Sequence, residues 1–126
     1  VRRTADDRGE RFAAAMRVTV TLLAIALLTQ AVTAGLLLST PGGRLAHSAT
    51  AAFVVLAAVV QLVAAIVVWR PGGGSPRFAL VSFFLLVTVL AEGLAGAARL
   101  TALHVPLGAL LLAGGAVLAS RTWSRQ

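Results

Sequence analysis

The chain has 126 residues, of which 59% are hydrophobic and 12% charged. A soluble domain of this size cannot hide that much apolar surface, so the composition requires lipid as the solvent. The formal net charge of +7 is then first a topology signal and not a sign of nucleic-acid binding, and the lack of Cys excludes disulfides, thiolate metal sites and Cys nucleophiles.

All eleven basic residues are Arg, a usage that suits a GC-rich bacterial genome, and they divide the chain. Residues 1–16 are polar, with Arg2, Arg3, Arg8 and Arg11 interleaved with Asp6, Asp7 and Glu10. This stretch reads as a cytoplasmic tail or as a short amphipathic helix on the membrane surface. The first apolar run, 18–38, lies between Arg17 and Arg44 and carries Gln30 near its far end. A span needs about 20 apolar residues to cross about 30 Å of hydrocarbon, which this run supplies. It is too long for a cleaved signal peptide, and no A-x-A-like site ends it.

Ser39-Thr40-Pro41-Gly42-Gly43 breaks the first helix, and the second span covers 47–69. It opens with Arg44 and His47, continues through Ala51, Ala58 and Gln61, and closes on Trp69. Gln61 reads as glue between helices. A Pro- and Gly-rich linker, 71–76, leads to the third span, 78–98, which holds Glu92, the single acidic residue inside any span. An intramembrane carboxyl is costly and is a functional candidate by default. Its open roles are a protonated carboxyl, an ion pair with Arg99, the lining of a cofactor or substrate pocket, and a neutral hydrogen bond to a neighbouring helix, as to Gln30 at similar depth. The connection from Arg99 to Ala102 is so short that the last two helices must form an antiparallel hairpin. The fourth span, 103–120, carries His104, Gly108 and Gly115, and a short tail, 122–126, follows with Trp123. Trp69 and Trp123 suit an aromatic belt at one interface.

Nine Arg fall on one side of these spans and two, Arg44 and Arg99, on the other. The positive-inside rule therefore places both termini and the 71–76 linker in the cytoplasm of a bacterial plasma membrane. The second and fourth helices both run from outside to inside and sit diagonally in an up-down bundle. His47 and His104 lie in the first turn or so of these two helices, so they share one depth near the outer face. Neutral imidazole is the commonest protein ligand for a metal, and one His from each of two facing helices can hold a haem iron. Ala51 and Gly108, each four residues beyond its His, leave room for a flat macrocycle. Arg44 and Arg99 flank the pair, and Arg suits the two propionates of a haem.

The chain also reads as a loose internal repeat. Gln30-Ala31-Val32-Thr33-Ala34-Gly35 in the first helix corresponds to Glu92-Gly93-Leu94-Ala95-Gly96-Ala97 in the third, each followed by an Arg and then a His. These stretches, with Gly43-Arg44-Leu45-Ala46-His47 and Leu103-His104-Val105-Pro106-Leu107-Gly108, resemble one four-helix half of the haem A synthase family, over nearly the whole chain from about residue 18. The resemblance implies a His at the outer start of the second and fourth helices and a haem between them. Three departures separate the chain from the family's catalytic half. Ser48 stands where an Arg usually follows the first His, the loop 39–46 has no acidic residue, and the Cys pair of some members is missing. Haem binding therefore carries over to His47 and His104, but oxygenation of a haem methyl group does not.

The expectation is an all-α membrane protein, a four-transmembrane-helix up-down bundle holding one haem b through His47 and His104. Its cofactor-binding surroundings are Arg44, Arg99, Ala51, Gly108, Glu92 and Gln30. Electron transfer or haem handling near the extracytoplasmic face is the expected role, because His/His ligation leaves no open position on the iron. The alternatives are a haem-modifying enzyme related to haem A synthase, acting as a homodimer, and a haem-free accessory or assembly subunit of a membrane complex. Expected partners are the lipid bilayer, haem, and a second copy or a membrane redox partner, with no nucleic acid.

Overall fold

The computed structural model describes residues 2–70 and 73–124, with side chains from Asp7 onward. Pro71 and Gly72 of the expected linker and Arg125 of the tail lie outside the described residues, as do the side chains of Arg2, Arg3 and Asp6. Four helices account for nearly all of it: α1 (Arg2–Ser39), α2 (Gly43–Trp69), α3 (Pro76–Ala97) and α4 (Thr101–Trp123). All four are long and apolar enough to cross a membrane. Each helix packs against its neighbours in the closed order α1, α2, α3, α4, and among the described residues the backbones of the diagonal pairs, α1 with α3 and α2 with α4, do not approach. The result is the expected up-down arrangement, with α2 and α4 parallel and diagonal.

The inward stripe of each helix repeats every three and then four residues. It runs through Met16, Val20, Leu23 and Leu27 in α1, and through Val54, Ala58, Gln61 and Ala65 in α2. In α3 it takes in Ala79, Ser82 and Val89, and in α4 Leu111, Gly115, Leu118 and Thr122. An average step of 3.5 residues keeps one face on a common axis over many turns. Continued toward the other end of the bundle, the same stripe takes in Gln30, His47, Glu92 and His104. Their inward placement therefore follows from the register of the apolar core. Outward-facing Leu, Val and Phe, such as Leu28, Phe53, Phe84 and Leu110, are more than half exposed in the isolated chain, as expected where lipid replaces water.

Two apolar layers fill the axis. Leu23, Leu27, Val54, Ala58, Val89 and Leu111 form one, and Met16, Ala65 and Ala79 the other. Between them Gln61 donates from Nε2 to Ser82 Oγ at 3.3 Å, bridging α2 to α3 as its reading as interhelical glue implied. At the end carrying the chain termini, Trp123 Nε1 donates to Thr21 Oγ1 at 3.1 Å. The Arg17 guanidinium lies 5.5 Å from the Trp123 ring centre, and that of Arg70 lies 4.7 Å from Trp69.

The helix ends follow the breakers. Gly42 turns left-handed at φ 90°, and Gly43 packs so closely on α1 that a Cβ there would collide with the Leu36 carbonyl. Ser75 caps α3 by accepting from the Arg77 amide, with Pro76 opening the first turn. The α3–α4 turn closes with Leu100 N–H to Ala95 O at 2.9 Å and Arg99 N–H to Gly96 O at 3.0 Å. That paired pattern is a Schellman motif, and it sets Arg99 at φ 58°, a position where Gly is the usual residue.

One boundary departs from the expectation. The stretch 2–16 is neither a frayed tail nor a separate surface helix but the continuous beginning of α1, which is 38 residues long and so spans about 57 Å at 1.5 Å per residue. Its Ala, Arg and Glu residues favour helix and it holds no Pro. The change from polar to apolar at Arg17 marks a change of solvent and not an end of the backbone helix.

The two tight connections give opposite expectations. Gly43→Ala forces a methyl into the Leu36 backbone and should lower stability by about 1–3 kcal/mol. Arg99→Gly removes a left-handed non-Gly residue and should raise it by about 1 kcal/mol. Unfolding of the detergent-solubilised variants followed by circular dichroism checks both.

Candidate functional site

The inward stripe brings six polar side chains together at the end opposite Trp69 and Trp123: Gln30 and Thr33 from α1, His47 and Thr50 from α2, Glu92 from α3 and His104 from α4. The ring centres of His47 and His104 are 6.1 Å apart with their planes at 87°. The two diagonal helices, whose backbones do not approach, thus meet across the axis through their histidines.

His47 belongs to a closed ring of hydrogen bonds. Gln30 Nε2 donates to His47 Nε2 at 3.3 Å, which leaves the proton on Nδ1 for Thr33 Oγ1, also at 3.3 Å. Thr33 lies 2.9 Å from Thr50 Oγ1, and the Thr50 hydroxyl donates back to Gln30 Oε1 at 2.5 Å. Donation in one direction around this cycle would satisfy all four contacts, but each Thr has a single proton to share between the cycle and a carbonyl of its own helix. Both Thr hydroxyls also lie near backbone carbonyls one turn back, Gln30 O for Thr33 and Ala46 O for Thr50.

His104 is held differently. Its Nδ1 lies 2.9 Å from the Glu92 carboxyl oxygen Oε1 and 3.0 Å from the Glu92 carbonyl oxygen. The ring rests on Gly96, one turn further along the same face of α3, where a Cβ would stand 2.7 Å from His104 Cε1. Glu92 and Gly96 together form a seat, with the carboxyl as one wall and bare backbone as the floor. Among the described residues His104 Nε2 makes no hydrogen bond.

These contacts give Glu92 a hydrogen-bond partner on a neighbouring helix, one of its expected roles. Its partner is His104, and neither Arg99 nor Gln30 pairs with it. Glu92 lies on the inward stripe, whereas Arg99 lies past the end of α3 and is exposed. Arg44 is exposed at the same end of the bundle, and neither Arg takes part in an ion pair among the described residues. Ala51 and Gly108 are half-buried, and Ala58 and Gly115 are buried. The space beside Gly108 is shared with Glu92, whose Oε1 stands 3.5 Å from where a Cβ would be. Thr33 and Thr50 were not among the expected site residues. The signal for them is spacing, since each lies three residues beyond a polar stripe residue, Gln30 or His47, and so shares its face.

The donor set can be compared with what a haem iron requires. Each ring is anchored through Nδ1, the outer contact that orients a metal-ligating His, but His47 also has its Nε2 bonded to Gln30. The 6.1 Å ring-centre separation lies in the range of ordinary aromatic packing. Among the described residues no group of three or more His, Cys, Asp or Glu forms a metal site. His47 turns both nitrogens to Gln30 and Thr33 of α1, and His104 rests its nitrogen edge on Glu92 and Gly96 of α3, so a metal between the rings would require them to turn and Gln30 to release His47 Nε2. The chain matches no protein-family profile, no curated protein and no solved structure.

Gly96→Ala places a methyl against the His104 ring and should displace it while leaving the His47 cycle intact. In 15N NMR of the protein without added haem, both histidines should show the Nδ1–H tautomer. In Gly96→Ala only the His104 signals should move.

Proposed function

We propose that the chain is a multi-pass protein of a bacterial plasma membrane that binds one b-type haem through His47 and His104 near the extracytoplasmic face, for electron transfer or haem handling. The observation that carries this reading is the histidine pair itself. Two imidazoles stand at one depth on parallel, diagonal helices, with ring centres 6.1 Å apart and each Nδ1 anchored by a different neighbouring helix. When bound, such a group supplies one-electron transfer at a potential set by its axial ligands and their hydrogen bonds. The protein's own part would be to present the two imidazoles at one depth and to keep water out with the apolar layer of Leu27, Val54, Val89 and Leu111 below them. Arg44 and Arg99, exposed at the same end, would meet the propionates, and Ala51 and Gly108 would flank the macrocycle.

The likeness to one half of a haem A synthase supports the same ligands. A homodimer would rebuild an eight-helix assembly, and a haem-modifying activity would require one histidine to leave the iron. A second reading has an observation of its own. Both nitrogens of His47 are already engaged within the protein, which favours a haem-free accessory subunit whose polar cluster only locks four helices together.

Protein purified from haem-replete cells, or supplied with haem in detergent, should be red with a Soret band that sharpens on reduction. The His47→Ala, His104→Ala double variant should lose that colour. Colourless wild-type protein favours the accessory-subunit reading, and colour that persists in the double variant removes these two ligands.

The cytoplasmic placement of both termini rests on the nine-to-two division of Arg across the spans. With no native Cys, single substitutions report cleanly. In intact cells Thr40→Cys should react with a membrane-impermeant maleimide and Ser75→Cys should not, and the reverse pattern would invert the topology.

A further inference from the structure

We infer that the end of the bundle carrying the chain termini holds the phosphate of one anionic phospholipid, bound to Arg17 in a cleft where all four helices meet. Neither the haem nor the histidines bear on it, since the histidine cluster lies at the opposite end.

The cleft has a volume of about 190 Å³ and is lined by Ala13, Met16 and Arg17 of α1, Val68 of α2, Phe78 of α3 and Thr122 of α4. It lies at the level of Trp69 and Trp123, where headgroups meet the apolar core. The space suits a phosphate group and is too small for acyl chains, which stay in the bilayer. Its walls are apolar except for Arg17 and Thr122, and Thr122 spends its proton on Leu118 O at 2.8 Å. Among the described residues Arg17 is the only cation in the lining.

Arg17 differs from the other basic residues at this end. Arg70 and Arg121 stand at the C-terminal ends of α2 and α4, where a cation answers the helix dipole. Arg17 stands in the middle of α1 and has no helix end to answer. It is half-buried. Its guanidinium is held 5.5 Å from the Trp123 ring centre, and Trp123 is fixed in turn by its bond to Thr21. Among the described residues the Arg17 side chain makes no hydrogen bond or ion pair, so its five N–H donors remain for an acceptor. No carboxylate of the chain supplies one. Asp6, Asp7 and Glu10 stand seven or more residues further along α1, about 10 Å or more at 1.5 Å per residue, and Glu92 faces His104 at the other end. A phosphate diester is the acceptor that lipid provides at this depth, and its two free oxygens match the Arg fork. Arg70, Arg77 and Arg121 add positive charge from the ends of the other three helices. That surplus selects a headgroup with no cation of its own, phosphatidylglycerol over phosphatidylcholine.

Native mass spectrometry of the full chain, released from micelles holding equal amounts of phosphatidylglycerol and phosphatidylcholine, tests this. One phosphatidylglycerol should stay bound, preferred over phosphatidylcholine by about fivefold or more. Arg17→Gln should weaken its retention about fivefold, the contribution of one Arg beside an anionic headgroup. Ala13→Leu, which fills the cleft and leaves every charge in place, should weaken it to a similar degree. Arg11→Gln, on the exposed part of α1 outside the cleft, should change it by less than about twofold, because solvent and salt screen a charge that far away. Circular dichroism checks that each variant is folded. Equal retention of the two lipids, equal losses in Arg17→Gln and Arg11→Gln, or wild-type retention in Ala13→Leu overturns the site. Displacement of the lipid by inorganic phosphate at equal concentration overturns the lipid assignment in favour of a soluble anion.

Discussion

Inside a bilayer a polar side chain has no solvent to fall back on, and the arrangement of this bundle follows from that constraint. An unsatisfied buried polar group costs several kcal/mol, by order of magnitude. A hydrogen bond between membrane helices contributes only about 0.6 kcal/mol on average. The penalty for losing a partner therefore exceeds the gain from keeping one, and polar residues act on the fold by making wrong registers expensive. The apolar layers of Leu, Val and Ala cannot do this, because a slip of one helix by a turn still sets apolar groups against apolar groups. Gln61 with Ser82 fixes α2 against α3, Gln30 with His47 fixes α1 against α2, and Glu92 with His104 fixes α3 against α4. Each sequential helix pair thus has its own polar latch. The one buried acceptor without a partner among the described residues, Gln61 Oε1, belongs to the latch that rests on a single bond.

This division of labour explains how much could be read from the chain itself. Apolar runs cut by Arg locate four helices, since hydropathy over about 20 residues reports solvent directly. The shared depth of His47 and His104 follows from helix parity alone. The start of α1 was not legible, because hydropathy records where lipid begins and not where the backbone stops being helical. The partner of Glu92 was not legible either. It depends on how far α4 is displaced along α3, and that displacement comes from three residues in which Arg99 adopts a left-handed conformation unusual for Arg. Thr33 and Thr50 escaped notice for another reason. A membrane Thr ordinarily returns its hydroxyl to a carbonyl in the preceding turn, as Thr29 and Thr88 do here. Only side-chain positions reveal that these two also join an interhelical cycle.

The internal repeat gains physical content from the same contacts. As a pattern of letters it is loose, but the structure places corresponding polar residues, Gln30 and Glu92, on the two histidines in turn. The match is topological and not atomic. The connections α1–α2 and α3–α4 are equally short, residues 40–42 and 98–100, but the polar residue reaches a different nitrogen in each half. A two-fold arrangement of helices therefore encloses a pair of imidazoles in chemically distinct surroundings.

Such a difference matters more in lipid than it would in water. Two carboxyls facing one axis would double the cost of burying ionisable groups and repel each other at close range. Two amides would leave neither imidazole strongly basic. One of each keeps the burden to a single ionisable group, strengthens one ring as a donor, and occupies the lone pair of the other. The Gln–Glu difference therefore gives two side chains of one kind two different hydrogen-bonding states within one bundle.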